Sequence, residues 1–443
     1  KPMELDMTSG KPLNTLLKFS LPLLAGSVIQ NLYNIFDTAI VGHVLGKYAL
    51  AAVGNSYVPT LIINSIVLGI ASGISILVAQ LYGSKDKGQI CKCYGSVQTL
   101  IVAVGFGLAV LFFALAGWIF KAMQIPEEIT SPAALYLRIV AAGIPFLAIY
   151  NFYSALIKAK GDSRTPIRCI CLSCVLNILL DYLFVACFGW GIAGAASATV
   201  LSQALAAVLV GLHLYRQEHP VIRTAPSAGL IVPILQLSIT GIVQNGASAI
   251  SMFFIQGIIN TFGVNEISAY TSAYKIESIL TIPAVNLGVA LSVYIGQNVG
   301  AGEYDRTRQG LKDSFKIAAV FTTLAMAILW FASPLLMVLV VGKEMAVIPI
   351  GVQYLRIISV TFPLCVSLYL LTNFLRGAGE IAYPLFNTLL ELCFRTFSAF
   401  VLAHYFGFVG VLLCRPLSFV VSTISLSCRL LSGKWKDKIN HSV

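Results

Sequence analysis

Charge is scarce in this chain: Asp, Glu, Lys and Arg together make up 11% of its 443 residues, less than half the usual share in soluble domains. So few charges cannot clothe an aqueous surface, which excludes an ordinary soluble globular domain. The five histidines (His43, His213, His219, His404 and His441) fall at the ends of apolar runs, in loops or in the tail. No nucleophile–base set or metal-ligand set is visible at depth, so an embedded enzyme is not expected. A Gly-x4-Gly-Lys-Ser/Thr loop is missing, which removes the phosphate cradle of an ATP-driven pump. The ten cysteines are dispersed. Cys171 and Cys174 have CxxC spacing, but no second pair completes a zinc site.

What the chain has in abundance is apolar sequence, 58% of the total. Runs of roughly twenty residues, enough to cross a hydrocarbon core of about 30 Å, recur about twelve times. They lie near 14–40, 49–82, 93–118, 132–157, 167–188, 191–215, 229–259, 267–299, 310–333, 349–375, 382–405 and 408–431. The runs are continuous and do not alternate, which argues against a membrane β-barrel. A spanning backbone must satisfy its own polar groups, so all of them are predicted to be helices. The fold class is an all-α polytopic membrane protein. No cleavable signal peptide is expected, since Lys11 and Lys18 lead directly into the first span.

The net charge of +11 could suggest nucleic acid, but its distribution argues otherwise. Most of the 29 Lys and Arg residues, among them Lys85, Lys87, Lys92, Lys158, Lys160, Arg164, Arg306 and Lys312, fall on one set of loops and tails. This positive-inside bias places both termini in the cytoplasm. The expected location is a prokaryotic cytoplasmic membrane, with the lipid bilayer and small organic compounds as partners, no nucleic acid, and a monomer as the working form.

Two acids stand where a membrane segment should least hold them. Asp37 and Asp181 lie inside long apolar stretches, and the nearest bases along the chain are Lys47 after the first and Arg168 before the second. An acid at bilayer depth costs a few kcal/mol or more and marks an ion or proton pathway by default. Counting back from Asp37 at helical spacing gives Asn34, Tyr33 and Gln30, one polar stripe. Asn177 and Asp181 are i and i+4, so both can address one point. Thr199 is followed by Ser202 and Gln203 on its own face. Two carboxylates in a partly dry lobe repel each other and resist ionisation, as a proton switch requires. Sodium would accept the same carboxylate, amide and hydroxyl oxygens. A structural, helix-packing role for Asp181 is the plain alternative.

The chain also reads as one unit doubled. Gly46, Ala52, Tyr57, Gln80 and Gly83 meet Gly263, Ala269, Tyr274, Gln297 and Gly300 at an offset of 217. Tyr136-Leu137-Arg138-Ile139 then meets Tyr354-Leu355-Arg356-Ile357, and Pro145, Gly161 and Pro166 meet Pro363, Gly379 and Pro384, at 218. A colinear series of this length signals duplication. The expected domains are an N-terminal six-helix lobe (1–216), a cytoplasmic linker (217–227) and a C-terminal lobe with a basic tail (228–443). Parallel halves of this kind place substrate between them near the midplane.

The segment Gln-Asn-Leu-Tyr-Asn-Ile-Phe-Asp-Thr-Ala-Ile-Val-Gly (Gln30 to Gly42) resembles the first helix of the multidrug and toxic compound extrusion (MATE) transporters. So do Gln80-Leu81-Tyr82-Gly83, Gln297-Asn298-Val299-Gly300 and Arg376-Gly377-Ala378-Gly379-Glu380. The resemblance covers nearly the whole chain and is nearest to the prokaryotic DinF-like branch. It implies two pseudo-symmetric six-helix lobes that alternate in access and export bulky, often cationic compounds against inward H+ or Na+. It also implies an ion-coupling cluster of Asp37, Asn177, Asp181 and Thr199, with Pro22 as the point where the first helix bends. No cofactor beyond the coupling ion is implied. Other branches of the family carry acids on the seventh and tenth helices. Here those helices offer Gln244, Asn245, Ser248, Ser251 and Gln256, then Tyr369, Thr372 and Asn373.

Candidate cleft residues are Gln30, Tyr33, Asn34, Tyr150, Asn151, Tyr153, Met252, Gln256, Tyr274, Lys275, Tyr369 and Asn373, an aromatic and polar set suited to cationic ligands. Lys275 and Glu277 either line that cleft or form a solvated interfacial pair. Glu391 precedes Arg395 by four residues, the favourable i,i+4 geometry, and reads as a structural pair. A lipid-linked oligosaccharide flippase is the alternative function, although it would want several cavity cations to hold a pyrophosphate.

Overall fold

Every backbone polar group of a spanning segment must find its partner within the segment, and helices do this alone. The computed structural model describes residues 5–123, 127–218, 225–259, 261–341, 345–433 and 435. Within them, the side chains of 32–43, 46–48, 50, 51, 87, 127, 128, 248, 249, 253 and 264 lie outside the described set. Among the described residues the regular structure is helical throughout, with no strand. The helices are α1 (Pro12–Asn55), α2 (Tyr57–Gly83), α3 (Lys87–Leu100), α4 (Gly107–Ala122), α5 (Glu127–Ala159), α6 (Arg164–Asp181) and α7 (Gly191–Glu218). They continue as α8 (Ala228–Ile259), α9 (Val264–Gly300), α10 (Tyr304–Phe331), α11 (Ser333–Val341), α12 (Ile348–Gly377) and α13 (Ala382–Leu431). A π-helical turn joins α3 to α4, and a second one, Tyr182–Cys187, follows α6.

Eleven segments of the described residues are long and apolar enough to cross a bilayer. The last of them, α13, is 50 residues long and breaks at Gly407, whose φ of 59° and ψ of −141° are not helical. Each side of that break is itself long enough to span, so the described residues hold twelve segments of sufficient length when α13 is counted as two. The break falls where the apolar sequence itself parts, between 405 and 408.

The chain packs as two compact units. One comprises Lys1–Asp6 with Leu21–Ile242, the other Met7–Ser20 with Val243–Val443. Helices α1 and α8 therefore each begin in one unit and finish in the other, and Pro22 stands beside the first of these passages. In the first unit α5 is central and packs on α2, α4 and α7; in the second, α12 packs on α9, α10 and α13. In the first unit α2 approaches α8 closely. A Cβ added at Gly69 would meet the Ile242 backbone N at 2.6 Å, and one at Gly73 would meet Ile234 O at 2.5 Å.

The backbone repeats the duplication read from the sequence. Left-handed φ values occur at Gly161 (96°) and Gly379 (85°), and at Gly189 (68°) and Gly407 (59°), each pair 218 apart. Arg138 lies over the Phe113 ring at 6.0 Å, and its counterpart Arg356 over Trp330, the counterpart of Phe113, at 5.8 Å. Gly302, at φ 76°, corresponds to Lys85, which adopts φ 59° without glycine's freedom. A left-handed residue with a Cβ costs about 1–2 kcal/mol. Lys85→Gly is therefore expected to raise the melting temperature of the purified protein. A fall in melting temperature would contradict this account of the turn.

Candidate functional site

The acid-bearing face of the first unit is built by α6 and α7. Ser173, Asn177 and Asp181 stand at i, i+4 and i+8, and all three are buried, with Asn177 at 1% and Asp181 at 0% exposure. Ser173 Oγ donates to the Ser202 carbonyl on α7 at 2.5 Å, which fastens the face to its neighbour. Ser202 Oγ donates to the Thr199 carbonyl at 2.8 Å, and Thr199 Oγ1 donates back to Ala195 O at 3.1 Å. Asp181 is the last residue before the π-helical turn Tyr182–Cys187. Such turns leave the regular backbone ladder and recur at functional sites. Both heteroatoms of the Asn177 carboxamide are buried without a hydrogen-bond partner among the described residues. The structure thus brings Asn177, Asp181 and Thr199 to two packed helices.

Helix α1 joins this assembly at its C-terminal end, where Ala49 packs with Val185 of the π-helical turn and Ala195 of α7, flanked by Leu45, Val53 and Ile192. Asp37, Tyr33 and Asn34 lie on the helical backbone of α1, but their side chains are outside the described residues. Pro22 is half-buried inside α1, which continues through it as a helix, and Gln30 is exposed.

The remaining candidates divide between the units. In the first, Tyr150 donates its hydroxyl to Pro166 O at 3.2 Å, Asn151 donates to Leu147 O at 2.8 Å, and Tyr153 is half-buried. In the second, Met252 and Lys275 are exposed, whereas Gln256, Tyr274 and Tyr369 are half-buried. Asn373 is buried and donates to Tyr369 O at 2.9 Å.

One charged network in the second unit was not visible in the sequence. Glu277, fully buried, pairs with Arg415 at 2.9 Å and accepts the Tyr354 hydroxyl at 2.6 Å, both on Oε2. The Arg415 guanidinium also lies over the rings of Tyr274 at 5.2 Å and Phe419 at 5.5 Å. Tyr270 and Tyr274 stack at 6.3 Å. Of the two readings of Lys275 and Glu277, the solvated interfacial pair is excluded, since Glu277 is buried and pairs with Arg415 instead. Residues two apart on a helix point different ways, so Glu277 turns inward to α12 and α13 while Lys275 faces out. The partner lies 138 positions away, and only the lone charges inside two apolar runs could have hinted at it. Glu391 and Arg395 do pair, at 3.4 Å, and Arg395 Nε donates to Ser251 Oγ at 2.7 Å.

Comparison with known proteins accords with this architecture. Residues 22–183 and 237–401 match the MatE family. The chain is 30% identical over 436 residues to the probable multidrug resistance protein YpnP of Bacillus subtilis, with 97% of each chain covered. It is 28% identical over 335 residues to an FAD transporter of Shewanella oneidensis, covering 72% of this chain and 73% of the other. A solved structure, that of a MATE protein in the bent conformation, superposes with a TM-score of 0.91 at 23% identity, covering 98% of both chains. The chain therefore belongs to the MatE family of multidrug-efflux transporters, as a multi-pass membrane transporter and not an enzyme.

Proposed function

We propose that this protein is an antiporter that exports bulky organic compounds, cationic drugs among them, by alternating access driven by inward H+ or Na+. The observation that carries the coupling half of this reading is the complete burial of Asp181 and Asn177, one turn apart on a span. A carboxylate in that setting is held in water's absence and is stabilised by a proton or a small cation. Asp37 on α1 and Thr199 on α7 complete the ion-coupling set, and α1 bends at Pro22 as the ion arrives. Each charge moving inward down about 100 mV supplies roughly 2.3 kcal/mol, tens-fold accumulation per charge before any chemical gradient. The termini lie on the cytoplasmic side of a prokaryotic plasma membrane.

The test is efflux of a fluorescent organic cation from proteoliposomes under imposed proton or sodium gradients. The wild type is expected to respond to one gradient. Asp37→Asn and Asp181→Asn are each expected to lose at least about tenfold of the gradient-driven rate, the effect of roughly 1.4 kcal/mol. Efflux indifferent to both gradients, or undiminished in both variants, defeats the proposal.

A further inference from the structure

Helix α6 has two unlike faces. The buried one carries Ser173, Asn177 and Asp181. On the other, Arg164, Arg168, Leu172, Val175, Leu179 and Tyr182, the residue just past its end, are all exposed. Their spacing of three or four residues keeps them on a single stripe of a 3.6-residue helix. Leu172, Val175, Leu179 and Tyr182 are each more than half exposed. A continuous apolar stripe of that extent faces hydrocarbon, since water would penalise it.

The ends of the stripe fix its depth. From Arg164 to Tyr182 is about 27 Å along the axis, close to the roughly 30 Å of a hydrocarbon core. Beyond Tyr182, Trp190 stacks on Phe184 at 4.7 Å, and both Trp190 and Phe188 are exposed. Aromatic clusters of this kind sit at a membrane–water boundary. Arg164 and Arg168 therefore stand at the opposite boundary, at headgroup level and one turn apart.

Local sequence and packing present these two arginines to an anion. Residues 158–168 hold four cations, Lys158, Lys160, Arg164 and Arg168, against one acid, Asp162. That acid is buried, and the first turn of α6 engages its oxygens. Oδ1 accepts from the Arg164 and Thr165 backbone N at 2.9 and 3.0 Å, and Oδ2 accepts the Thr165 hydroxyl at 2.6 Å. Lys160 is buried too, its ammonium over the Tyr94 ring at 5.2 Å. Tyr150 ties α5 to Pro166 O, and a Cβ added at Gly26 of α1 would meet Ile167 Cγ1 at 2.9 Å. The turn is thus fixed from both sides, and the two arginines are the exposed cations of this segment.

We infer that Arg164 and Arg168 form a headgroup site for an anionic phospholipid, whose acyl chains run along Leu172, Val175 and Leu179. Paired guanidiniums hold a phosphate diester by charge-assisted hydrogen bonds, and a lipid also brings the hydrocarbon that the rest of the stripe requires. The bound lipid fastens to the helix whose other face carries Asn177 and Asp181. The site follows from the membrane register of α6 and is independent of what the protein exports.

Native mass spectrometry of the purified full-length protein in detergent reads bound lipid directly. Dioleoyl phosphatidylglycerol and dioleoyl phosphatidylcholine share their chains and differ in net headgroup charge. The wild type is expected to bind the anionic lipid at least about tenfold more tightly. The double variant Arg164→Gln/Arg168→Gln is expected to lose that preference. Arg308→Gln/Lys312→Gln, which removes two exposed cations from α10, is expected to keep it. Arg168→Gln alone, expected to weaken the preference, serves if the double variant does not fold. Equal affinity for the two lipids, an undiminished preference in the α6 variants, or an equal loss in the α10 variant would overturn the inference. So would release of bound phosphatidylglycerol by excess inorganic phosphate, which would mark the arginines as a site for the free ion.

Discussion

Arg415→Ala is expected to destabilise the folded protein by about 3–5 kcal/mol, the usual cost of removing one member of a buried ion pair. The size follows from geometry, since Glu277 is completely buried and would keep only the Tyr354 hydroxyl. A lone carboxylate at that site has neither water nor a counter-charge. Glu277→Gln alone is expected to cost less, because Arg415 retains partial exposure and its two aromatic neighbours. The double variant with glutamine at both positions should recover most of the loss. Thermal melting in detergent, followed by tryptophan fluorescence, orders the variants. If Arg415→Ala melts no lower than the double variant, the pair contributes nothing beyond its shape.

Gly73→Leu is expected to cost more than about 3 kcal/mol, at or above the upper end for overpacking, and to depress the yield of folded protein. The reason lies in backbone. Gly69 and Gly73 form a Gly-x-x-x-Gly face that lets α2 approach the early part of α8, and in membranes such small-residue faces replace the hydrophobic effect as the source of helix association. A side chain at Gly73 would strike Ile234 O at its first carbon. A carbonyl cannot rotate aside, so the helices must part. Gly107 and Gly257 are the controls: an added Cβ at either meets nothing within 4 Å. Replacing those helical glycines with alanine should be neutral or stabilise by about 0.5–1 kcal/mol. A Gly73→Leu protein that melts with the wild type would show that the close approach is dispensable.

Much of this molecule was legible from residues alone, and the reasons differ by scale. The apolar spans were legible because bilayer thickness fixes their length, and the last two were separated between 405 and 408, where α13 breaks at Gly407. The doubling was legible because turns constrain residue type; Gly161 and Gly379 recur since both adopt left-handed φ. The pairing of Glu391 with Arg395 could be read because i,i+4 contacts are local. By contrast, Glu277 with Arg415 depends on three helices packing together, and no local rule joins positions 138 apart. The small-residue face of α2 was present in the sequence as Gly69-Ile70-Ala71-Ser72-Gly73, but its partner on α8 is a tertiary fact. The proposed coupling cluster is the reverse case: its residues were named from the sequence, and three of the four, Asn177, Asp181 and Thr199, lie on adjoining helices, while the Asp37 side chain lies outside the described residues.

The positions shared by the two copies hold one further consequence. At the offset that aligns their left-handed glycines, Asn177 corresponds to Arg395 and Asp181 to Ala399, while Arg415 corresponds to Ser197. After the ancestral gene doubled, the hinges of the chassis stayed fixed and the chemistry mounted on it parted company, a buried acid and amide on α6 in one copy, carboxylate–guanidinium pairs in the other. A chimera made of two first halves would keep the frame and lose the buried carboxylate–guanidinium pairs that tie the helices of the second copy together.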